Sequence, residues 1–386
     1  MNPRIMIIGG DNTSDRFGAA LAGEIHERCP QATLYGVGGP LMNDAGARLL
    51  FDISEMVSLG VFQSIRGSTI VNRLIKRVVE AMDREEPSLV LQIGLPVFGF
   101  KILEIAKSRG IPVLYYYTPL SRGLANVNLR QFADVVDKVA GISLTETALC
   151  QEAGIAVDFV GHPLKDLLDH SLTQAKAREH LGINSDQGKV IAILPGAREV
   201  EVKNVLPAVL KALEQVLEKN SDLQIIVSVA STIRRSFVEE ILKNSATRVR
   251  LEEDASCVLL AADLAITSIG TGSLESSLLG VPSLAVYRVP CTTFFAEKLL
   301  NRKPYMTITN KILRKHVIPE FIQGDFNHTN IAKTIEQLLY DEGARQAMLK
   351  DFSQLENELG EPGSVERAAA LVLEMAGCGD NGTTGS

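Results

Sequence analysis

The stretch from Leu264 to Arg288 sets the terms for the whole chain. Leu264–Ile266 is an apolar run long enough for a buried strand end, and Thr267–Gly272 is a turn of small residues. Leu274, Leu278 and Leu279 then recur at helical spacing, and Gly280 and Pro282 stop that helix. Ser283–Val286 reads as the next strand. Strand, small-residue turn, helix and strand in that order point to a sheet of the α/β class.

The turn also carries chemistry. A helix start without bulky side chains presents free backbone N–H groups to the space in front of it, which suits an anion such as a diphosphate. Gly270 and Gly272 let a ligand approach the backbone, Thr271 and Ser273 add hydroxyl donors, and Glu275 is placed to accept from a ribose hydroxyl. The helix end contributes about 0.3–1 kcal/mol by itself, so it needs partners. A tight turn with glycines present for packing accounts for the same residues equally well. A dinucleotide fingerprint does not fit, because no third glycine follows Gly270 and Gly272.

A length of 386 residues suggests two domains. The net charge of −7 argues against bulk attraction to nucleic acid. The cysteines, Cys29, Cys150, Cys257, Cys291 and Cys378, are scattered and form no Cys-x-x-Cys, which speaks for a reducing compartment and against a disulfide frame or a zinc site. The N-terminus starts directly with a strand-like run, so no signal peptide is read, and no apolar run approaches the ~18 residues of a membrane span.

In the first half, Ile5–Ile8 is a strand that runs into Gly9, Gly10 and Asp11, with a helix from about Arg16 to Arg28. Asp11 and Asp15 are candidate acid/base groups at a strand's carboxyl end, where open α/β sheets bind ligands. The same residues also suit a turn and a helix cap. Thr33–Val37, Leu89–Ile93, Val113–Tyr117, Val135–Ile142 and Val157–Val160 continue an alternating series of strands. Met56–Phe62 is apolar, and behind it Arg66, Arg73, Lys76 and Arg77 flank an amphipathic helix. That face either touches an anionic membrane surface or is a solvated side of a core helix. His162, in Gly161–Leu164, is a candidate donor to a phosphate or sugar, or a structural histidine.

The run from Asp166 to about Lys189 is polar and helical, with a turn at Asp186–Gly188, and holds the domain boundary. Val190–Leu194 is a strand that empties into Pro195-Gly196-Ala197-Arg198 at a helix start. The planar fork of Arg198 matches a diphosphate, and a surface pairing with Glu201 is the alternative. Leu223–Val229 and Val249–Leu251 are strands, and Ala255–Ala262, Phe294–Leu300, Asn330–Leu339 and Val365–Met375 are helices. The residues from Gly377 onward have the composition of a disordered tail.

Several motifs in this order resemble the lipid-A-disaccharide synthase family, GT-B glycosyltransferases that move an acylated glucosamine from UDP onto an acylated sugar phosphate. They are Gly161–Leu164, then Leu194–Arg198 with Glu201, then Gly270-Thr271 with Leu274-Glu275, Leu279–Pro282 and Tyr287-Arg288, and finally Asn310 and Pro319-Glu320 with Gln323. The resemblance runs from about Ile5 to Met375. It implies two Rossmann-like β/α/β domains facing a central cleft. An acceptor domain would span 1–165, with a helix over 363–376 packing back on it, and a donor domain 166–362, with 377–386 disordered. It implies a UDP-sugar pocket lined by Arg198, Glu201, Gly270, Thr271, Gly272, Ser273, Glu275, Asn310, Glu320 and Gln323, with His162 and Arg288 as further candidates. The partners implied are a UDP-activated acyl-glucosamine and an acylated sugar phosphate of the lipid X type. The chain would then work in the cytoplasm, at the inner face of the inner membrane. No metal or other cofactor is implied, and no Asp-x-Asp is present to hold a divalent ion.

The acceptor side departs from that family. Gly10–Asp15 keeps Gly10 and Asp15 of a Gly-Glu-Thr-Ser-Gly-Asp motif, and Leu59–Gln63 replaces a Met-Gly-x-x-Glu run. Thr118–Gly123 stands where the family carries a tryptophan-bearing segment. Gly94 and Val97 stand where the family has two aspartates, one of them the general base. A positioned base is worth roughly 10²–10⁴-fold in rate. Asp11 or Asp15 could take over, the acceptor could differ, or the chain could bind a nucleotide sugar without turning it over. A UDP-sugar 2-epimerase would need a carboxylate or histidine cluster that the sequence does not locate, and a Rossmann dehydrogenase would need the missing third glycine.

Overall fold

The computed structural model describes residues 2–53, 69–94, 98–117, 129–169, 171–183, 188–288 and 305–378. The segments Met56–Gln63, Arg66, Leu95–Val97, Thr118–Gly123, Asp186-Gln187 and Phe294–Leu300, together with 379–386, lie outside the described residues. The chain divides into two compact units. One is Met1–Asp166 with Leu359–Ser386, and the other is Leu167–Glu358.

The first unit is built on a parallel sheet of β1 (Arg4–Ile8), β2 (Thr33–Gly38), β3 (Arg48–Asp52), β4 (Leu89–Ile93), β5 (Val113–Tyr116), β6 (Lys138–Gly141) and β7 (Val157–Phe159). Their order is β3-β2-β1-β4-β5-β6-β7. Ile5–Ile8, Leu89–Leu91 and Val113–Tyr116 have no exposed surface. Strands covered by helices on both faces bury every side chain, which is why these segments read as unbroken apolar runs. The helix Thr69–Glu85 buries Val71, Leu74, Val78, Ala81 and Met82, an i, i+3, i+4 stripe. Arg73, Lys76 and Arg77 are exposed on it, and Lys76 pairs with Glu80 one turn on. The last helix, Ser364–Met375, belongs to this unit, and the N–H groups of Gly363 and Val365 donate to the Asp166 carboxylate.

The second unit repeats the plan with β8 (Val190–Leu194), β9 (Gln224–Ser228), β10 (Arg250–Glu252), β11 (Leu264–Ser268), β12 (Ser283–Tyr287) and β13 (Glu320–Ile322). All pairings are parallel, in the order β10-β9-β8-β11-β12-β13. In both sheets the strand order reverses beside the first strand, as in doubly wound Rossmann folds.

Several elements are absent from the sequence-based expectation, among them β3, β13 and the helix Glu342–Glu358. β3 is an edge strand with charged ends and one fully buried residue, Phe51, so its alternation is faint. β13 has three half-buried residues. The helix Glu342–Glu358 is largely polar and buries Met348, Asp351, Phe352 and Leu355. Where a helical run was expected over 166–189, two short helices form, Leu164–Leu167 and Gln174–His180.

Candidate functional site

β8 and β11 are hydrogen-bonded neighbours, with Leu194 opposite Thr267. The chain leaves β8 toward β9 and leaves β11 toward β12, in opposite directions across the sheet. Such a switch point opens a crevice at the strands' carboxyl ends. The turns 195–198 and 269–272 therefore start side by side, and a Cβ on Gly272 would meet Leu194 Cδ2 at 3.3 Å.

The first turn is built around Glu201. Gly196 has φ +123, and a Cβ there would come within 2.6 Å of Glu201 Oε2, so a glycine is required. The Ala197 N–H donates to Glu201 Oε2 at 3.2 Å, and Arg198 donates to Oε1 through Nε at 2.8 Å and through Nη2. The ion pair read as the alternative to diphosphate binding is thus present, and it engages Nε and Nη2 of the guanidinium. Glu201 is almost fully buried while a third of the Arg198 side chain stays exposed. Burial works against the charge on Arg198. Glu201 and a hydrogen bond with Tyr287 outweigh it and hold the group above its ordinary value. Tyr287, named in the sequence only as part of the Tyr287-Arg288 motif, was not among the expected pocket residues. It ends β12, two strands from β8, so only the assembled sheet brings it to Arg198.

The second turn is open. A Cβ on Gly270 would meet nothing within 4 Å. Thr271 and Gly272 are half-exposed at the start of the helix Thr271–Leu278, whose first N–H groups have no side-chain cap. Ser273 corrects the expectation. It has no exposed surface, and its hydroxyl donates to the Gly270 carbonyl at 2.9 Å, so it closes the first turn instead of facing a ligand. Glu275 is buried.

Asn310 is a second correction. It is fully buried, and its Nδ2 donates to Ile318 O and Glu320 Oε1 while its Oδ1 accepts from the N–H groups of Val317 and Ile318. Those four bonds use the whole capacity of the amide, leaving none for a nucleotide. Glu320 accepts from the backbone N–H groups of Met306 and Thr307 and from the Thr307 hydroxyl, holding the start of the helix Ile308–Leu313. Gln323 adopts φ +50 just past β13 and opens a short 3-10 turn. Arg288 is exposed, with its guanidinium 5.8 Å from the centroid of the Phe326 ring.

In the first unit, β1 and β4 are the switch-point pair. Asp11 caps the helix Asn12–Arg28, accepting from the Ser14 N–H at 2.9 Å, and is half-exposed. Asp15 is buried and accepts from the N–H groups of Gly39, Leu41 and Met42 at 2.8–3.1 Å. It therefore caps the helix Pro40–Asp44 and is no candidate base, a correction that leaves Asp11. Gly94 follows β4 with φ +66, and a Cβ there would reach Tyr117 at 3.8 Å. Tyr117 itself has φ +62, a strained conformation for a bulky residue.

His162 is fully enclosed, with its ring edge-on to Phe17 and Tyr117. Nδ1 accepts from the Leu164 N–H, and Nε2 has no partner. Burial pushes it down to about 3, so it is a neutral core group, and of the two readings offered for it the structural histidine is the one that fits.

A family model described as lipid-A-disaccharide synthetase matches residues 5–375. The lipid-A-disaccharide synthase of Syntrophus aciditrophicus is 32% identical over 376 residues, covering 96% of this chain and 97% of its own. Among solved structures, the UDP-GlcNAc 2-epimerase from Neisseria meningitidis bound to UDP-GlcNAc superposes with a TM-score of 0.63 at 13% identity, covering 97% of this chain and 100% of its own. A UDP-glucose:anthocyanidin 3-O-glucosyltransferase in complex with UDP gives 0.60 at 14% identity, over 98% and 99%. These two likenesses speak for the fold alone, the GT-B type. The match along nearly the full length shows the family: the chain belongs to the lipid-A-disaccharide synthetase family of glycosyltransferases.

Proposed function

We propose that this protein transfers an acylated glucosamine from its UDP-activated form to an acylated sugar phosphate of the lipid X type. One observation carries the reading. At the switch point of the second unit, an arginine paired with Glu201 and an open glycine-rich helix start emerge from adjacent strands. An acceptor hydroxyl attacks the anomeric carbon opposite the diphosphate, the carbon–oxygen bond to UDP breaks, and the configuration inverts. Arg198 and the amides of Gly270–Gly272 stabilise the charge that collects on the departing UDP. Asn310, Glu320 and Gln323 shape the neighbouring loop, and the acceptor belongs to the first unit. Asp11 takes the hydroxyl proton, because it is half-exposed at the end of β1 while Asp15 is committed to three backbone N–H groups.

The test is a UDP-release assay on donor plus acceptor. Wild type releases UDP with or without EDTA, and Asp11→Asn slows release by ~10²–10⁴-fold. No release from wild type at any pH overturns the transferase reading. Gly94, in place of the family's aspartate, favours a second reading, a paralogue that binds the nucleotide sugar without turning it over. Calorimetric binding of UDP-sugar without turnover, and no gain on Gly94→Asp, supports that reading instead. The left-handed backbone at Gly94 is one that aspartate enters more easily than most residues.

Association with the cytoplasmic face of an anionic inner membrane is part of the same proposal. It is supported by the exposed Arg73, Lys76 and Arg77, with Arg66 nearby in sequence. Among the described residues no helix is long and apolar enough to cross a membrane. Flotation with phosphatidylglycerol vesicles should be lost at high salt and in a variant with Arg73, Lys76 and Arg77 changed to glutamate.

A further inference from the structure

The sulfurs of Cys29 and Cys378, 349 positions apart in the chain, lie 3.1 Å from each other. Cys29 closes the helix Asn12–Arg28, its N–H donating to Ile25 O, and is almost fully buried. Cys378 follows the last helix, Ser364–Met375, and its N–H donates to Leu373 O at 2.9 Å. It is partly exposed. The two helices pack on each other within the first unit. A disulfide bond is about 2.05 Å long, so the thiols need to close by about 1 Å. Cys150 and Cys257 are buried in the cores of different units.

We propose that Cys29 and Cys378 form a reversible redox site, a disulfide made on exposure to a hydroperoxide. The roles follow from burial. Cys29 is pushed up to about 11 by its enclosure and by its hydrogen bond with Cys378, so it stays protonated and shielded. Cys378 meets the oxidant. Its thiolate sulfur attacks a peroxide oxygen and the O–O bond breaks. The sulfur is oxidised to a sulfenic acid, and the peroxide is reduced to water or an alcohol. Cys29 sulfur then displaces the hydroxyl from Cys378. The S–S bond forms, the S–O bond breaks, and the proton of Cys29 leaves with the hydroxyl as water. A dithiol reverses the step by exchange. The bond ties the end of the chain to the helix that carries Asp11. Because it closes a loop of almost the entire chain, it restricts the unfolded ensemble strongly.

The experiment treats the full-length protein with hydrogen peroxide, then unfolds it in N-ethylmaleimide and maps its peptides by mass spectrometry. The expected product is a cross-linked peptide pair holding Cys29 and Cys378, two hydrogens lighter than the separate peptides and released by dithiothreitol. Cys150 and Cys257 carry maleimide in the same sample. The oxidised wild type melts at a higher temperature than the reduced form, and Cys378→Ser, a change at a partly exposed position, loses both the cross-link and the rise. Equal alkylation of Cys29 and Cys378 before and after peroxide overturns the proposal. So does Cys378 found as sulfinic acid, or joined to Cys291 or to a second chain.

Discussion

Asp11 and Asp15 lie one helical turn apart and do different work. Asp15 satisfies three backbone N–H groups that open the helix Pro40–Asp44, and it is buried while doing so. Asp15→Ala leaves those donors unpaired, and each buried orphan costs about 1–3 kcal/mol. The expected outcome is a large drop in denaturation midpoint, read by circular dichroism. Asp11→Ala loses one cap, worth about 1 kcal/mol, so its effect falls on UDP release rather than on stability. His162 sets a pH limit. Its ordinary value is 6.5 and burial lowers it to about 3, so below pH 6.5 the unfolded chain takes up a proton that the folded chain refuses. Its contribution to stability is complete above pH 6.5 and is lost progressively as pH falls toward 3. Unfolding midpoints of wild type and His162→Asn across that window check this. The wild type should lose stability more steeply.

Among the elements, the helix Glu199–Leu217 and its turn decide how Arg198 is held. Gly196→Ala brings a Cβ to 2.6 Å from Glu201 Oε2 at a φ of +123, so the carboxylate must swing away and release the guanidinium. Arg198→Ala removes the charge outright, and charged hydrogen bonds of this type are worth about 1.5–3 kcal/mol. Both variants should weaken UDP binding in calorimetry by roughly 10–150-fold for Arg198→Ala and by less for Gly196→Ala. Arg198→Lys should not restore it, because the ammonium cannot make the planar two-point contact. The loop holding Glu320 depends likewise on Asn310, whose amide bonds three residues between Val317 and Glu320 through four contacts.

At the scale of the whole molecule, two doubly wound sheets each put their candidate loops at the point where strand order reverses. The nucleotide reading assigns UDP to the second of these. Hydrogen exchange with saturating UDP should therefore slow amides in 195–201 and 269–273 and leave the β1–β4 edge of the first unit unchanged. At a hundred times Kd, the ligand should add about 2.7 kcal/mol to the stability of the state that binds it. Protection spread over 9–15 or 92–94 instead would move the nucleotide to the first unit.

Local sequence was enough for the alternation of apolar strands with helices, because strands covered on both faces must be apolar throughout, as Ile5–Ile8 and Val190–Ile193 are. It was enough for the two glycine turns as well, since Gly196 and the space before Gly270 are backbone properties that small residues announce. It could not say which side of a polar residue faces inward. Ser273, Asn310, Asp15 and His162 carry the right chemistry for a ligand, yet each is turned into the protein and bonded there or enclosed. It could not bring Tyr287 to Arg198 or Cys29 to Cys378 either. Those meetings depend on which strands and helices lie side by side. That neighbourhood is settled within each unit, where a sheet and the helices packed on it, the returning C-terminal helix among them in the first, bury their faces, a sum over many distant residues that no single stretch contains.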